Sequence, residues 1–379
     1  MSQPIKQPGN QPSNQVSHQV SNQVNNQAVT PSAPPTADQV PSTAPALDVK
    51  HRLVDVPGGR IHLVEQGSGP LVLMVHGFPE SWYSWRHQLP VIAASGFRAV
   101  AIDVRGYGRS SKPLDVEAYR MLAHVDDNVA VVHALGEETA VIVGHDWGSP
   151  IAANSALLKP DVFTAVGLLS VPYAPRSGSR PTDVFAQIGE SEEFYISYFQ
   201  SPGRAEAEIE LDVRAWLAGF YAGLSADTMP SDGAGSLFLV PEGGKLSDRF
   251  IDGRLPSWLS EADLDFYAAE FERTGFSGAL NRYRNVDRDW EDLAAWDGAP
   301  ISQPSLFIGG ELDGPTLWLA DAIKAYPTTL PGLGSSHILE GCGHWVQQEH
   351  SDEVNQLLVD WLHSLPTTHT RPQHSPVED

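Results

Sequence analysis

Apolar and polar positions along this chain change rhythm several times. Up to about residue 47 there is none: Gln, Asn, Ser, Pro and Val recur in loose repeats such as Asn14-Gln15-Val16 and Asn22-Gln23-Val24. Such a stretch cannot bury enough apolar surface to offset the entropy of ordering, so residues 1–47 are expected to be a disordered tail. Arg52-Leu53-Val54-Asp55-Val56 and Arg60-Ile61-His62-Leu63-Val64 then read as strands, with Pro57-Gly58-Gly59 as the hairpin between them. Residues 71–75 are uniformly apolar, as in a strand buried on both faces. A helix through Trp82, Trp85 and Leu89 follows, then a strand over 98–102, a long helix over 118–135 and a strand over 140–143. A small-residue helix starts near Pro150, and one more strand covers 165–169. Strands alternating with helices predict an α/β fold with a mostly parallel sheet.

From 172 to 298 the strand rhythm stops. Residues 204–221 predict one acidic amphipathic helix, and 261–273 another, with Leu264, Tyr267, Ala268 and Phe271 on one face. The Pro- and Gly-rich residues 229–244 between them predict a long loop. Strand rhythm returns at 305–308 and 336–339, and a final helix covers 351–362. The expected organisation is a tail (1–47), the first part of a core (48–172), a helical insertion (173–298), the second part of the core (299–366) and a polar tail (367–379).

Composition narrows the setting. The chain has 379 residues and a net charge of −23, from 47 acidic against 24 basic residues, which opposes nucleic-acid and anionic-membrane partners. No run of 18 apolar residues suggests a spanning helix, and the N-terminus lacks a basic-then-apolar signal pattern. A cytoplasmic enzyme is expected. The single cysteine, Cys342, excludes an internal disulfide and reads as a small buried residue beside a loop.

The chemistry centres on Gly144-His145-Asp146-Trp147-Gly148, where the apolar strand meets the small-residue helix. This is the form of a Gly-x-nucleophile-x-Gly elbow with aspartate in place of serine. A carboxylate that displaces at a saturated carbon forms an alkyl ester, which water can cleave at the carbonyl. A serine attacking the same carbon would form an ether beyond such machinery. Asp146 therefore points to an electrophilic sp³ carbon, in an epoxide or an alkyl halide. The bland alternative is a strand-end aspartate capping the next helix.

An attacking carboxylate needs a later base. His344, in Gly341-Cys342-Gly343-His344 after the last strand, stands where a hydrolase of this topology keeps its histidine. Asp313, in Gly309-Gly310-Glu311-Leu312-Asp313, follows the preceding strand and would orient the imidazole, with Glu311 as its rival. Some related enzymes place this acid after the strand ending near Leu169, but here that site reads Ser170-Val171-Pro172-Tyr173, without a carboxylate. The backbone N–H groups of Phe78 and Trp147 are the expected oxyanion donors. His76 is expected to tie loops together, and Phe78-Pro79 is a candidate for a cis bond. Arg105-Gly106-Tyr107-Gly108-Arg109-Ser110 lacks a Walker pattern and reads as a structural turn.

His76-Gly77-Phe78-Pro79, Gly144-His145-Asp146-Trp147-Gly148, Asp313 and Gly343-His344-Trp345 together resemble the epoxide hydrolases of the α/β-hydrolase fold, over about residues 50–365. Phe194-Tyr195-Ile196-Ser197-Tyr198-Phe199-Gln200 and Leu280-Asn281-Arg282-Tyr283-Arg284-Asn285 resemble that family's two lid motifs. The resemblance implies a cap domain in the insertion and one catalytic tyrosine in each motif, Tyr195 and Tyr283, with Tyr198 a core neighbour. Phe78, Trp147 and Trp345 would wall an apolar substrate site. Substrate and water are the implied partners, with no metal or organic cofactor; a homodimer is compatible with this reading. The rival is a dehalogenase with the same Asp-His-Asp core, which has no need of the tyrosine pair. A non-catalytic binding protein of the same fold is a further alternative, although no catalytic residue is lost here.

Overall fold

The hairpin forms from β1 (Lys50–Val56) and β2 (Gly59–Gly67), with Arg52 opposite Leu63 and Val56 opposite Gly59. In this computed structural model the described residues are 48–366, apart from 190, 231–233 and 251–253; the tails expected at 1–47 and 367–379 lie outside them. The uniformly apolar run becomes β3 (Leu71–Val75), and all of it is buried. β4 (Arg98–Ile102), β5 (Ala140–His145) and β6 (Phe163–Leu169) follow. After the insertion, which holds the two-residue strands β7 (Glu193–Phe194) and β8 (Leu239–Val240), come β9 (Ser305–Gly310) and β10 (Leu333–Leu339).

Eight strands make one sheet in the order β1-β2-β4-β3-β5-β6-β9-β10. The β1–β2 and β2–β4 pairs are antiparallel, and the remaining pairs are parallel. The fully apolar strands lie in the middle, where helices cover both faces. β10, at the edge, alternates between half-buried and exposed residues. The flanking helices are α1 (Gln88–Ala94), α2 (Met121–Ala134), α3 (Gly148–Leu158) and the C-terminal helix Ser351–Ser364. α2 packs on α3, and α1 on the C-terminal helix. This is the expected α/β arrangement, in which the ends of parallel strands open on one edge.

Three elements differ from the sequence reading. The helix expected over 118–135 starts at Met121, because Arg120 is extended and the Met121 N–H is taken by the Asp289 carboxylate at 2.6 Å. The acidic helix expected over 204–221 is two helices, Arg204–Ile209 and Val213–Gly223; Asp212 interrupts it by capping the second through the Ala215 N–H at 2.9 Å. The loop expected over 229–244 contains a 3-10 turn, Ala234–Phe238, and β8, which pairs with β7. Two residues are too few to carry a period, so that pairing could not be read from the pattern.

The insertion is tied to the core by buried polar contacts. The Tyr221 hydroxyl donates to the Pro79 carbonyl at 2.5 Å, and the Tyr83 hydroxyl to Asp263 at 2.8 Å. Arg282 donates to the Tyr119 carbonyl at 2.5 Å and pairs with Asp289. Within the insertion, buried Arg284 reaches Glu206 at 2.9 Å, Asn281 at 2.9 Å and the Phe199 carbonyl at 3.0 Å. Removing one member of a buried ion pair leaves the other uncompensated, at a cost of about 3–5 kcal/mol. Arg284→Ala should therefore lower unfolding stability by about that amount in a urea titration. A loss below about 1 kcal/mol, as for an exposed pair, would show that this network does not hold the insertion together.

Candidate active site

Close approach shapes the elbow. A Cβ on Gly144 would lie 1.9 Å from the Gly148 carbonyl oxygen, and one on Gly148 would lie 2.0 Å from the Val75 oxygen. The start of α3 can approach β5 and β3 this closely only with glycine at both places. The turn between them puts Asp146 at φ 50°, a left-handed conformation that costs a non-glycine residue about 1 kcal/mol or more. Its side chain is thereby lifted to the strand-end edge, where Oδ1 accepts the Phe78 N–H at 2.7 Å. The loop carrying Phe78 backs against it: a Cβ on Gly77 would lie 2.2 Å from Asp146 Oδ1. The Phe78-Pro79 peptide is cis.

The ends of β9 and β10 deliver the partners. His344 Nδ1 donates to Asp313 Oδ1 at 2.8 Å, and its Nε2 stands 3.5 Å from Asp146 Oδ2. Burial by itself would lower the imidazole's pKa. The Asp313 charge, the contact with Asp146 and the hydrogen bond to Asp313 outweigh it and carry the value up to about 10. The resting group is then an imidazolium held between two carboxylates. Glu311, the rival acid, is exposed and accepts the Gly341 N–H at 2.9 Å.

Several supporting residues went unassigned in the sequence. The second oxygen of Asp313 accepts from Ser170 Oγ at 2.8 Å and from Thr316 Oγ1 at 2.7 Å. Ser170 occupies the strand end at which the missing carboxylate was noted, and it too has a positive φ, 68°. A polar residue there was the available signal. Glu80 is fully buried; it accepts from His145 Nδ1 at 2.8 Å, from the Gly77 N–H at 2.9 Å and from Gln347 at 3.0 Å. Burial works to raise its pKa, but His145 beside it brings the value down to about 2. His145 Nε2 in turn donates to the His344 carbonyl at 2.8 Å. His76 accepts the Val104 N–H at 3.0 Å through Nε2 and donates to the Gly77 carbonyl at 2.8 Å through Nδ1, so it ties two loops together in neutral form. Cys342 is buried, and burial pushes its thiol pKa up, away from nucleophile chemistry.

The insertion brings two phenols to the carboxylate. Tyr195 opens the helix Tyr195–Gln200, Tyr283 lies in the turn Tyr283–Asn285, and their rings are 6.0 Å apart. Burial first, and the nearby Asp146 charge with it, push both phenols well above their ordinary pKa. Both are therefore proton donors throughout the neutral range. Tyr198 is a core neighbour, its hydroxyl given to Glu208 at 2.6 Å. A cavity of about 630 Å³ is lined by Asp146, Trp147 and Tyr195, with apolar walls from Phe185, Phe194 and Phe238. Of the three aromatic residues expected to wall it, only Trp147 is among its lining residues. The Phe78 ring is buried among insertion aromatics. Trp345 packs edge-on behind His344, with centroids 4.6 Å apart, and its indole N–H donates to the Tyr221 carbonyl at 3.1 Å. A large indole gains more by filling the core with its N–H satisfied than by facing a cavity.

With this geometry in view, the likeness to known proteins is specific. The sequence pattern of the alpha/beta hydrolase fold matches residues 70–351. Epoxide hydrolase B of Mycobacterium tuberculosis is 43% identical in an alignment 351 positions long that covers 83% of this chain and 98% of that protein. The chain belongs to the epoxide hydrolases of the α/β-hydrolase fold. Solved structures of this family superpose closely. An epoxide hydrolase from an endophytic Streptomyces is 75% identical, with a TM-score of 0.82 over 83% of this chain and 95% of the other. Epoxide hydrolase A from Mycobacterium thermoresistibile is 43% identical, with a TM-score of 0.79 over 84% and 99%. Among the described residues no helix is long and apolar enough to cross a membrane.

The charge arrangement predicts a titration. His344, with a folded pKa raised from 6.5 to about 10, stabilises the fold fully below pH 6.5 and loses that contribution as pH rises through about 10. An NMR titration of labelled imidazoles should find His344 protonated at neutrality, with its midpoint lowered in both Asp313→Asn and Asp146→Asn. A wild-type midpoint near 6.5 would show that the two carboxylates do not hold the imidazole in its charged form.

Proposed function

We propose that this epoxide hydrolase forms vicinal diols through a covalent ester on Asp146. One observation carries the reading: the two Asp146 oxygens meet the Phe78 N–H at 2.7 Å and His344 Nε2 at 3.5 Å, while the same carboxylate lines a cavity shared with Tyr195. Tyr195 and Tyr283 hold the epoxide oxygen. Asp146 attacks a ring carbon, the C–O bond breaks, and a phenol protonates the departing alkoxide.

The charges then rearrange in a useful direction. Ester formation removes the Asp146 charge, one of the causes that kept the proton on His344. At the same step a tyrosinate appears whose buried phenol strongly favours protonation. The proton moves from imidazolium to tyrosinate, and His344 is left neutral as a base. It takes a proton from water as the water oxygen attacks the ester carbonyl. The N–H groups of Phe78 and Trp147 stabilise the oxyanion, each such donor being worth about 3 kcal/mol. Collapse releases the diol; of the two water protons, one leaves on the diol and the other stays on His344, restoring the resting ion pair. Epoxide and water alone balance the cycle.

A dehalogenase reading would keep the Asp-His-Asp core but leave the paired buried phenols without a task. The net charge of −23 opposes nucleic-acid and anionic-membrane partners.

His344→Gln should attack but not release. Mixed with an aryl epoxide, intact-protein mass spectrometry should record a gain equal to the whole epoxide, mapped to Asp146. Tyr195→Phe combined with Tyr283→Phe should lower diol formation by a factor on the order of 100 or more, as expected for loss of acid catalysis. Undiminished diol formation in the double variant would remove the two phenols from the mechanism, and halide release from alkyl halides without any diol from epoxides would move the assignment to a dehalogenase.

A further inference from the structure

His344 has an acidic neighbour that the mechanism does not use. Glu349 ends the short helix Val346–Glu349, and its carboxylate reaches back to the loop that carries the histidine. Oε1 accepts the Trp345 N–H at 2.9 Å; Oε2 accepts the Gly343 N–H at 3.0 Å and the Ala226 N–H at 2.9 Å. One carboxylate thus holds both residues that flank His344, and its third donor belongs to the insertion. Among the described residues no side chain forms an ion pair with it. Burial pushes its pKa up, while the three N–H groups and the nearby His344 charge pull against that rise. A carboxylate in such a place is costly, and an apolar side chain of similar size would fill the space at less expense.

The loop has little slack on either side. Towards the core, a Cβ on Gly310 would lie 2.2 Å from the Gly343 oxygen. Towards the insertion, a Cβ on Gly343 would lie 2.5 Å from the Leu224 oxygen and 2.7 Å from the Ala226 nitrogen. The His344 N–H donates to the Leu224 carbonyl at 2.9 Å, and the Trp345 indole N–H to the Tyr221 carbonyl at 3.1 Å. Tyr221, Leu224 and Ala226 therefore form one seam with the histidine loop, along the end of the helix Val213–Gly223 and the turn after it. Glu349 closes that seam from below, since it is the one group bonded to both sides of it.

The chemistry decides when this hold matters. In the resting enzyme the ring is attracted from both ends, by Asp313 at 2.8 Å and by Asp146 at 3.5 Å. Once Asp146 is esterified, the second attraction is gone. The imidazole then has Asp313 and Ser170 on Nδ1, and only its backbone fixes where Nε2 aims. At that stage Nε2 must take a proton from the water that attacks the ester carbonyl. Resting on the Asp146 mechanism proposed above, we propose that Glu349 is a positioning residue for ester hydrolysis: by binding the N–H groups of Gly343, Trp345 and Ala226 it keeps His344 aimed at the attacking water after Asp146 has lost its charge. Ester formation does not depend on it, because Asp146 is held by the Phe78 N–H and both carboxylates still hold the ring.

The test follows the two half-reactions separately in Glu349→Gln, which keeps the shape but replaces one acceptor oxygen by an NH₂ donor, so the N–H groups on that side lose their partner. Enzyme in excess is mixed with styrene oxide, quenched at intervals and weighed intact by mass spectrometry; the gain and loss of the adduct on Asp146 give the two rates. A misplacement of about 1 Å can cost about 100-fold, so ester decay should slow by about tenfold or more while ester formation stays within about threefold of wild type. A merely structural role would lower the amount of adduct formed but not the rate at which each adduct decays. Gly343→Ala, which pushes the loop off Leu224 and leaves Glu349 in place, should slow decay in the same way, and it serves if the glutamine variant does not fold. Decay as fast as in wild type or faster, or formation and decay slowed equally, would overturn the assignment of Glu349. Failure of the mechanism itself gives a different result: no adduct appears in any of these enzymes, His344→Gln included.

Discussion

One histidine placed between two carboxylates organises the site. His344 stands between Asp313 at 2.8 Å and Asp146 at 3.5 Å, with all three groups removed from bulk water to a large extent. Two carboxylates this close would repel, and neither would be well solvated; the imidazolium between them makes the arrangement tolerable. The surrounding structure serves this pairing. The elbow raises Asp146, the end of β9 presents Asp313 and the end of β10 presents His344, because parallel strands terminate on one edge of the sheet. Ser170 and Thr316 satisfy the far oxygen of Asp313, so that its near oxygen is left for the histidine.

A second layer of polar contacts fixes the loops themselves. Glu80 holds the Gly77 N–H directly and the His344 carbonyl through His145, so the loop bearing the Phe78 N–H and the loop bearing His344 are joined beneath the reacting atoms. A buried carboxylate is expensive unless its hydrogen bonds are met, and here both of its oxygens are used. The insertion completes the site from the other side. Its aromatic residues pack around Tyr195 and Tyr283 and move both phenols further from ionisation.

Local chemistry made much of this legible beforehand. Unbroken apolar runs marked the central strands, since only strands covered on both faces can be apolar throughout. Gly144 and Gly148 marked a strand–helix crossing too close for a Cβ. Asp146 between them carried the choice of electrophile, because an ester can be hydrolysed where an ether cannot. Asp313 and His344 could be placed because each follows a strand in a short loop. The tyrosines were different: an aromatic stripe at helical spacing reads as core, and resemblance to a family, not the residues themselves, singled out Tyr195 and Tyr283.

The tertiary structure decided what depends on which distant segments meet. Glu80, Ser170 and Thr316 are ordinary polar residues until three strand ends converge on His344. Trp345 could be read as a wall, yet it is buried behind the histidine, because the side of a loop on which a ring leaves is set by packing space. The break at Asp212 follows from a cap competing with helix propagation, a balance of about 1 kcal/mol that periodicity does not register. The sequence by itself determined the fold class and the reacting carboxylate, since both follow from short-range covalent and steric rules. The cavity beside Asp146, walled by Tyr195, Phe194 and Phe238 from the insertion, took shape only when the insertion packed on the core, because empty space belongs to no single segment of the chain.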